Sequence, residues 1–250
     1  MLTGSCVIIT VATEGIGRGI ALAAGASGAN VAVTGLDVRA AEAVAEEIRA
    51  RGGKAVAAAC DVTRAQDIAS SIKATLDAFG RLDAFVHNAN QTGARARAIE
   101  DIHDGDWDMP VMVGLRPIFT SAQAALPALI RSGGCMIVLT SQSGIDGTAI
   151  LPVYAAVKGA QRALVKSLAR EWGPLGVRVN AIAPSAVTPA LEAYLIREPQ
   201  MRDHMIARSP LRRFGDAEGD IGQAVNFLIG KESGFVTGQT LVVNGGALMM

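Results

Sequence analysis

The chain has 250 residues, 23 basic and 23 acidic side chains, and half of its residues are hydrophobic. That length suits one α/β domain with a large core, and the even charge balance argues against a nucleic-acid surface, which ordinarily needs a basic excess. Cys6, Cys60 and Cys135 lie in or beside apolar runs without a Cys-x-x-Cys pair, and His87, His103 and His204 lack ligand spacing, so neither a disulfide framework nor a metal site is expected.

From Met1 to Ser5 the chain enters a strand directly, without the basic region and apolar core of a secretion signal, so a soluble cytoplasmic protein is expected. The first strand, 7–10, runs into Thr10-Val11-Ala12-Thr13-Glu14-Gly15-Ile16-Gly17, which opens a helix over 17–26. Glycines in such a turn let the backbone approach a pyrophosphate, and a helix N-terminus offers free N–H groups and a favourable dipole. A close strand-to-helix turn that binds nothing has the same sequence signature. The charge-free stretch 19–36 is as long as a membrane span, but Gly25, Ser27, Gly28, Asn30 and Thr34 break it as a buried helix, a turn and a buried strand would. No membrane association is expected.

Strands over 31–34, 54–59, 84–87, 136–140, 178–182 and 240–243 alternate with helices over 39–50, 65–79, 115–130, 154–172 and 220–229. Such alternation implies crossovers, a parallel sheet covered on both faces, and a doubly wound α/β architecture. No composition shift marks a boundary, so residues 1–250 read as one domain. Two long interruptions stand out, 91–106 and 185–219. The second carries an amphipathic piece around 191–205 and is a candidate substrate lid, or else an ordinary surface helix with an arginine-rich solvated face.

Chemistry concentrates between Ser141 and Lys158. Tyr154 and Lys158 stand four apart in alanine-rich, helix-forming sequence and share one helical face. A phenol titrates near ~10, so proton exchange near neutrality needs a downward shift, which a neighbouring ammonium favours by charge. Ser141 can donate a hydrogen bond to a substrate oxygen. Against this stands a packed tyrosine and a lysine reaching solvent, because a short motif matches often by chance.

Read in order, the segment 10–17, Asp61-Val62, Asn88-Ala89, Ser141, Tyr154 with Lys158, Asn180-Ala181-Ile182-Ala183-Pro184, and Thr237-Gly238-Gln239 before Asn244-Gly245-Gly246 resemble the short-chain dehydrogenase/reductase family over essentially the whole chain. The resemblance implies a seven-stranded Rossmann-type fold, commonly a homotetramer or a homodimer, that binds NAD or NADP and interconverts a small-molecule alcohol and a ketone. It implies Tyr154 as acid/base, Lys158 as the group that lowers its pKa and holds the nicotinamide ribose, and Ser141 as the residue orienting the substrate oxygen. Cofactor contacts are implied at Thr10, Thr13, Gly15, Ile16, Gly17, Asp37, Asp61, Val62, Asn88, Ala89, Tyr154, Lys158, Pro184, and Val187 or Thr188. Helices near 115–130 and 154–172 are implied to form a subunit interface. Gln142, Ser143, Ile145, Tyr194 and Leu195 are candidates for the substrate pocket.

The departures from the family pattern are several. Val11 replaces the first glycine, where a β-branched residue at positive φ would be an outlier, so either the turn is rebuilt or the site is impaired. Asn90 replaces a glycine, and Ser185 follows Pro184 in place of one. Gly114 stands where many members carry an asparagine that helps hold a water chain from the catalytic lysine, which leads us to expect slower proton exchange. Gly35 and Leu36 occupy the places that distinguish NAD from NADP; Glu14 and Asp37 would repel a 2′-phosphate while Arg18 and Arg39 could offset them, giving a lean to NAD. Two other readings stay open on the sequence: a non-redox enzyme similar to halohydrin dehalogenases, and a catalytically retired ligand-binding or regulatory protein on the same scaffold.

Overall fold

The structure is a computed structural model that describes residues 2–90 and 96–249. Its strands are β1 (Cys6–Ile9), β2 (Asn30–Gly35), β3 (Lys54–Ala59), β4 (Ala84–His87), β5 (Cys135–Leu139), β6 (Arg178–Pro184) and β7 (Thr240–Val243). They form one sheet in the order β3-β2-β1-β4-β5-β6-β7, and every neighbouring pair is parallel. The helices are α1 (Gly15–Ala26), α2 (Val38–Ala50), α3 (Ala65–Phe79), α4 (Arg116–Ser132), α5 (Ser143–Asp146), α6 (Pro152–Trp172), α7 (Pro189–Arg197), α8 (Gln200–Arg208) and α9 (Gln223–Ile229). This is the doubly wound arrangement expected from the alternation.

Side chains that alternate along each strand feed two separate cores. Val7 and Ile9 of β1, Val31 and Val33 of β2, Ala84 and Val86 of β4, and Ile137 of β5 pack with α1, α2 and α9. Ile8, Ala32, Phe85, Met136 and Val138 point the other way, against α3, α4 and α6. Each fully buried Ile or Leu in these layers contributes roughly 1.5–3 kcal/mol. Near-continuous apolar strands are what a sheet buried on both faces requires. The chain order reverses between β1 and β4, so their carboxyl ends open a crevice, the usual ligand position in such sheets.

Several boundaries differ from expectation. α1 begins at Gly15 and α6 at Pro152, where proline supplies a preset φ and needs no amide partner. The amphipathic piece at 191–205 is two helices, because Glu198 leaves helical geometry before Pro199. Two segments, Pro110–Leu115 and Ala217–Gly222, are π-helical and run into α4 and α9. Residues 91–95 of the first long interruption lie outside the described residues. All three cysteines are buried and free. Among the described residues, no helix is long and apolar enough to cross a membrane.

Candidate active site

The crevice between β1 and β4 is floored by the glycine-bearing turn. Val11 keeps the left-handed backbone, with φ of 51°, and Gly15 follows with φ of 54°. The turn is therefore not rebuilt; the valine adopts the glycine conformation. Its side chain packs partly against the core shared with α3, α4 and α6. The Asn88 side-chain amide donates to the carbonyls of Val11 at 2.8 Å and Thr10 at 3.2 Å. A Cβ at Gly17 would overlap the Val11 carbonyl and that same amide, so only glycine lets α1 start this close to β4.

Several residues implied as cofactor contacts turn their side chains inward. Thr10 is buried, and its hydroxyl accepts from the amides of Asn88 at 2.9 Å and Ala89 at 3.3 Å, tying the ends of β1 and β4 together. Ala89 and Val62 are buried in the second core, and Ile16 packs against the first. Gly15 faces the start of α7: a Cβ there would stand 3.5 Å from Pro189 Cδ and 3.6 Å from Thr188 Cγ2. Thr188 caps α7, accepting from the Leu191 amide at 3.2 Å, while the Val187 amide donates to the Gly215 carbonyl at 3.3 Å. Thr188 is thus the member of that pair that faces the glycine turn. Pro184 ends β6 opposite Val243.

At the β2 end, Thr13 fills the space above Gly35, its Cγ2 lying 2.6 Å from where a Cβ would stand. Leu36 is 78 % exposed beside it. Asp37 caps α2 by accepting from the Arg39 amide at 2.9 Å. Arg18 is drawn into an ion pair with Glu47. Asp61 accepts from the Thr63 hydroxyl at 2.7 Å and its amide at 2.9 Å, which holds the carboxyl below the usual carboxylate range.

Ser141, Tyr154 and Lys158 meet at the end of β5. The Lys158 ammonium is 2 % exposed and donates to the Leu139 carbonyl at 2.9 Å, while its own carbonyl accepts from the Thr140 hydroxyl at 2.9 Å. Burial pulls its pKa down to about 7. The ammonium stands 5.7 Å from the centre of the Tyr154 ring. Burial raises the phenol's pKa, and a hydrogen bond with Ser141 opposes that rise. The net direction for the phenol in this arrangement is upward, opposite to the lowering expected from the four-residue spacing, because burial of the phenol is the larger effect. The Ser141 hydroxyl oxygen also accepts from the Ser143 amide at 3.2 Å. α5 packs on α6 at Gly144, where a Cβ would crowd the Lys158 carbonyl carbon at 2.5 Å.

Of the pocket candidates, Leu195 is buried, whereas Tyr194 is exposed. Gln142 is held from both sides, donating to Asp146 at 2.9 Å and accepting from Asn244 at 3.1 Å. The Gly114 carbonyl accepts from the Gln161 amide at 2.7 Å, and a Cβ at Gly114 would meet Val157 Cγ1 at 3.2 Å and Asn90 Oδ1 at 4.0 Å. The room at Gly114 is thus partly filled. Sequence reasoning missed His87: it ends β4, is wholly buried, and lies near enough to Lys158 for the ammonium to add to burial in lowering the imidazole pKa to about 3. Its only signal was strand parity, two residues after Phe85.

A family model described as Enoyl-(Acyl carrier protein) reductase matches residues 11–247. The 3-oxoacyl-(acyl-carrier-protein) reductase FabG of Staphylococcus aureus (strain Mu50) is 36 % identical over 244 residues, covering 97 % of each chain. The 7α-hydroxysteroid dehydrogenase of Escherichia coli (strain K12) is 32 % identical, covering 99 % of this chain and 95 % of that protein. A solved 7α-hydroxysteroid dehydrogenase, complexed with NADH and 7-oxo glycochenodeoxycholic acid, superposes with a TM-score of 0.91 at 32 % identity, covering 100 % of this chain and 96 % of that one.

Proposed function

The chain belongs to the short-chain dehydrogenase/reductase family, and on that premise we propose that it is a nicotinamide-dependent oxidoreductase interconverting a secondary alcohol and a ketone. The observation that carries the reading is the meeting of Ser141, Tyr154 and Lys158 at one strand end, with the serine and phenol hydrogen-bonded and the ammonium buried beside them. The names of the relatives, reductase and dehydrogenase, favour redox chemistry over a dehalogenase-like alternative.

The residues present fit a dinucleotide. The glycine turn, the first turn of α1 with its uncommitted amides, and the wall from Asn88 to Thr188 leave backbone free to meet a pyrophosphate. A reduced nicotinamide bound there would supply the hydride. In the reducing direction Ser141 holds the carbonyl oxygen and Tyr154 gives it the phenolic proton; oxidation reverses both transfers. A raised phenol pKa suits the acid role, because the proton is retained until the oxygen gains charge.

NAD is the favoured cofactor. Glu14 and Asp37 carry negative charge near the β2 end; of the two offsetting cations, Arg18 is committed to Glu47 and Arg39 stands 3.8 Å from Asp37. The substrate is a largely apolar small molecule, and 185–219, carrying α7 and α8, acts as its lid. The protein works in the cytoplasm as a homotetramer or homodimer.

Titration with NADH and NADPH, followed by energy transfer from Trp107 and Trp172, tests the reading with a Tyr154→Phe variant beside it. We expect tighter binding of NADH, binding retained in the variant, and carbonyl reduction reduced by about 100-fold or more, the scale of a lost general acid. Reduction at the parent rate would overturn the assignment, and binding of neither cofactor would favour a retired or non-redox protein.

A further inference from the structure

The layer between β4, α4 and α6 holds buried polar atoms that have no hydrogen-bond partner among the described residues. His87 follows Phe85 by two residues and so faces the same layer, and neither of its ring nitrogens has a partner among the described residues. Ser121 Oγ on α4 and Gln161 Oε1 on α6 are buried and unpartnered as well. Gln161 lies three residues after Lys158 on the same helix, on the same side, and its amide is spent on the Gly114 carbonyl. The neutral imidazole offers one donor and one acceptor, and an ammonium carries three donors. For Lys158 the Leu139 carbonyl meets one of them.

Buried polar groups with several mutual neighbours are the setting in which internal water is retained. We propose that His87 is a positioning residue for Lys158: with Ser121 and Gln161 it holds internal water that supplies the ammonium with acceptors beyond the Leu139 carbonyl. Bulk solvent does not reach these side chains, so the lysine's charge depends on this enclosed hydration. The ionisable groups facing Lys158 are few. Tyr154 comes from its own helix, and His87 from β4, where it pairs with Val138, the residue before the Leu139 carbonyl that holds the ammonium. β5 offers the Leu139 carbonyl, α4 Ser121, and α5 approaches through Gly144. The segment Pro110–Leu115 carries no ionisable residue, and Arg178 of β6 is turned to the carbonyls of Ile229 and Val236.

The inference rests on the reading of Ser141, Tyr154 and Lys158 as the reaction site, so its test reads protonation rather than turnover. Lysine labelled with 13C at Cε is titrated by NMR in the whole protein; the Lys158 signal is assigned by its loss in Lys158→Arg, and Lys54, Lys73, Lys166 and Lys231 serve as references. His87→Leu should lower the Lys158 pKa by about one unit or more, and His87→Gln, which keeps a donor and an acceptor, should hold it within about 0.3 unit. An unmoved Lys158 in His87→Leu overturns the proposal. Should that variant not fold, a crystal structure of the unaltered protein decides: ordered water bonded to His87 supports the proposal, and a dry layer ends it. Failure of the redox reading would show instead as normal Lys158 titration with no turnover.

Discussion

Val11 carries backbone strain beside the proposed dinucleotide site. A left-handed conformation costs a residue with a Cβ roughly 1–2 kcal/mol, and Val11 holds φ at 51° with only part of its side chain repaid by packing. The Asn88 amide on the Val11 carbonyl and the glycine at 17 are what hold that geometry. Relief of strain in Val11→Gly is offset by lost packing and by the larger freedom of glycine in the unfolded chain, about 0.5–1 kcal/mol. Stability by urea denaturation should therefore stay within about 1 kcal/mol of the parent. Removal of the isopropyl group from the turn should still tighten NADH binding several-fold, because the backbone can then approach the pyrophosphate as a glycine turn does. Weaker NADH binding in the variant would mean that the valine contributes a contact of its own.

The π-helical segment Pro110–Leu115 carries Gly114, where the family resemblance implies an asparagine. Its Gly114 carbonyl is taken by Gln161, and Asn90 Oδ1 lies near the place where a side chain at 114 would begin. Gly114→Asn should raise turnover a few-fold by adding a polar group for proton exchange, provided Val157 yields the few tenths of an ångström that a Cβ at 3.2 Å demands. Equal or lower turnover in steady-state assays, with the fold intact by circular dichroism, would overturn the expectation that Gly114 slows proton exchange. Such slips in helical register could not be read from sequence, since apolar periodicity survives one extra residue per turn. The strands were legible for the opposite reason: Ile8 and Phe85 on one face, and Val7, Ile9 and Val86 on the other, are all apolar because helices cover both sides. Ser141, Tyr154 and Lys158 were legible as a local spacing. The inward turn of Thr10, Ile16, Val62 and Ala89 was not, nor the approach of His87 to Lys158, because parity across β4 and α6 emerges only once the sheet order is known. The direction of the phenol's pKa shift also differs from the expected one, since burial is a tertiary property and charge spacing a local one.

At the scale of the whole molecule, large apolar side chains lie exposed among the described residues on α4 and near the β7 edge of the sheet. On α4, Phe119 and Ile130 are exposed eleven residues apart, three turns along one face. At the far edge of the sheet, Leu241 of β7, Phe227 of α9 and Phe235 are exposed as well. An open edge strand flanked by aromatic residues invites pairing with another chain. Two distinct patches, each used isologously, generate a tetramer of two-fold axes, whereas one patch alone stops at a dimer. Light scattering on the purified protein should therefore give four times the chain mass. Phe119→Asp and Phe235→Asp should each leave a dimer, because each places a charge in only one of the two interfaces, while the double variant should be monomeric. A monomeric parent at micromolar concentration would show that these patches serve something other than self-assembly. A tetramer untouched by Phe119→Asp would move the first interface away from α4.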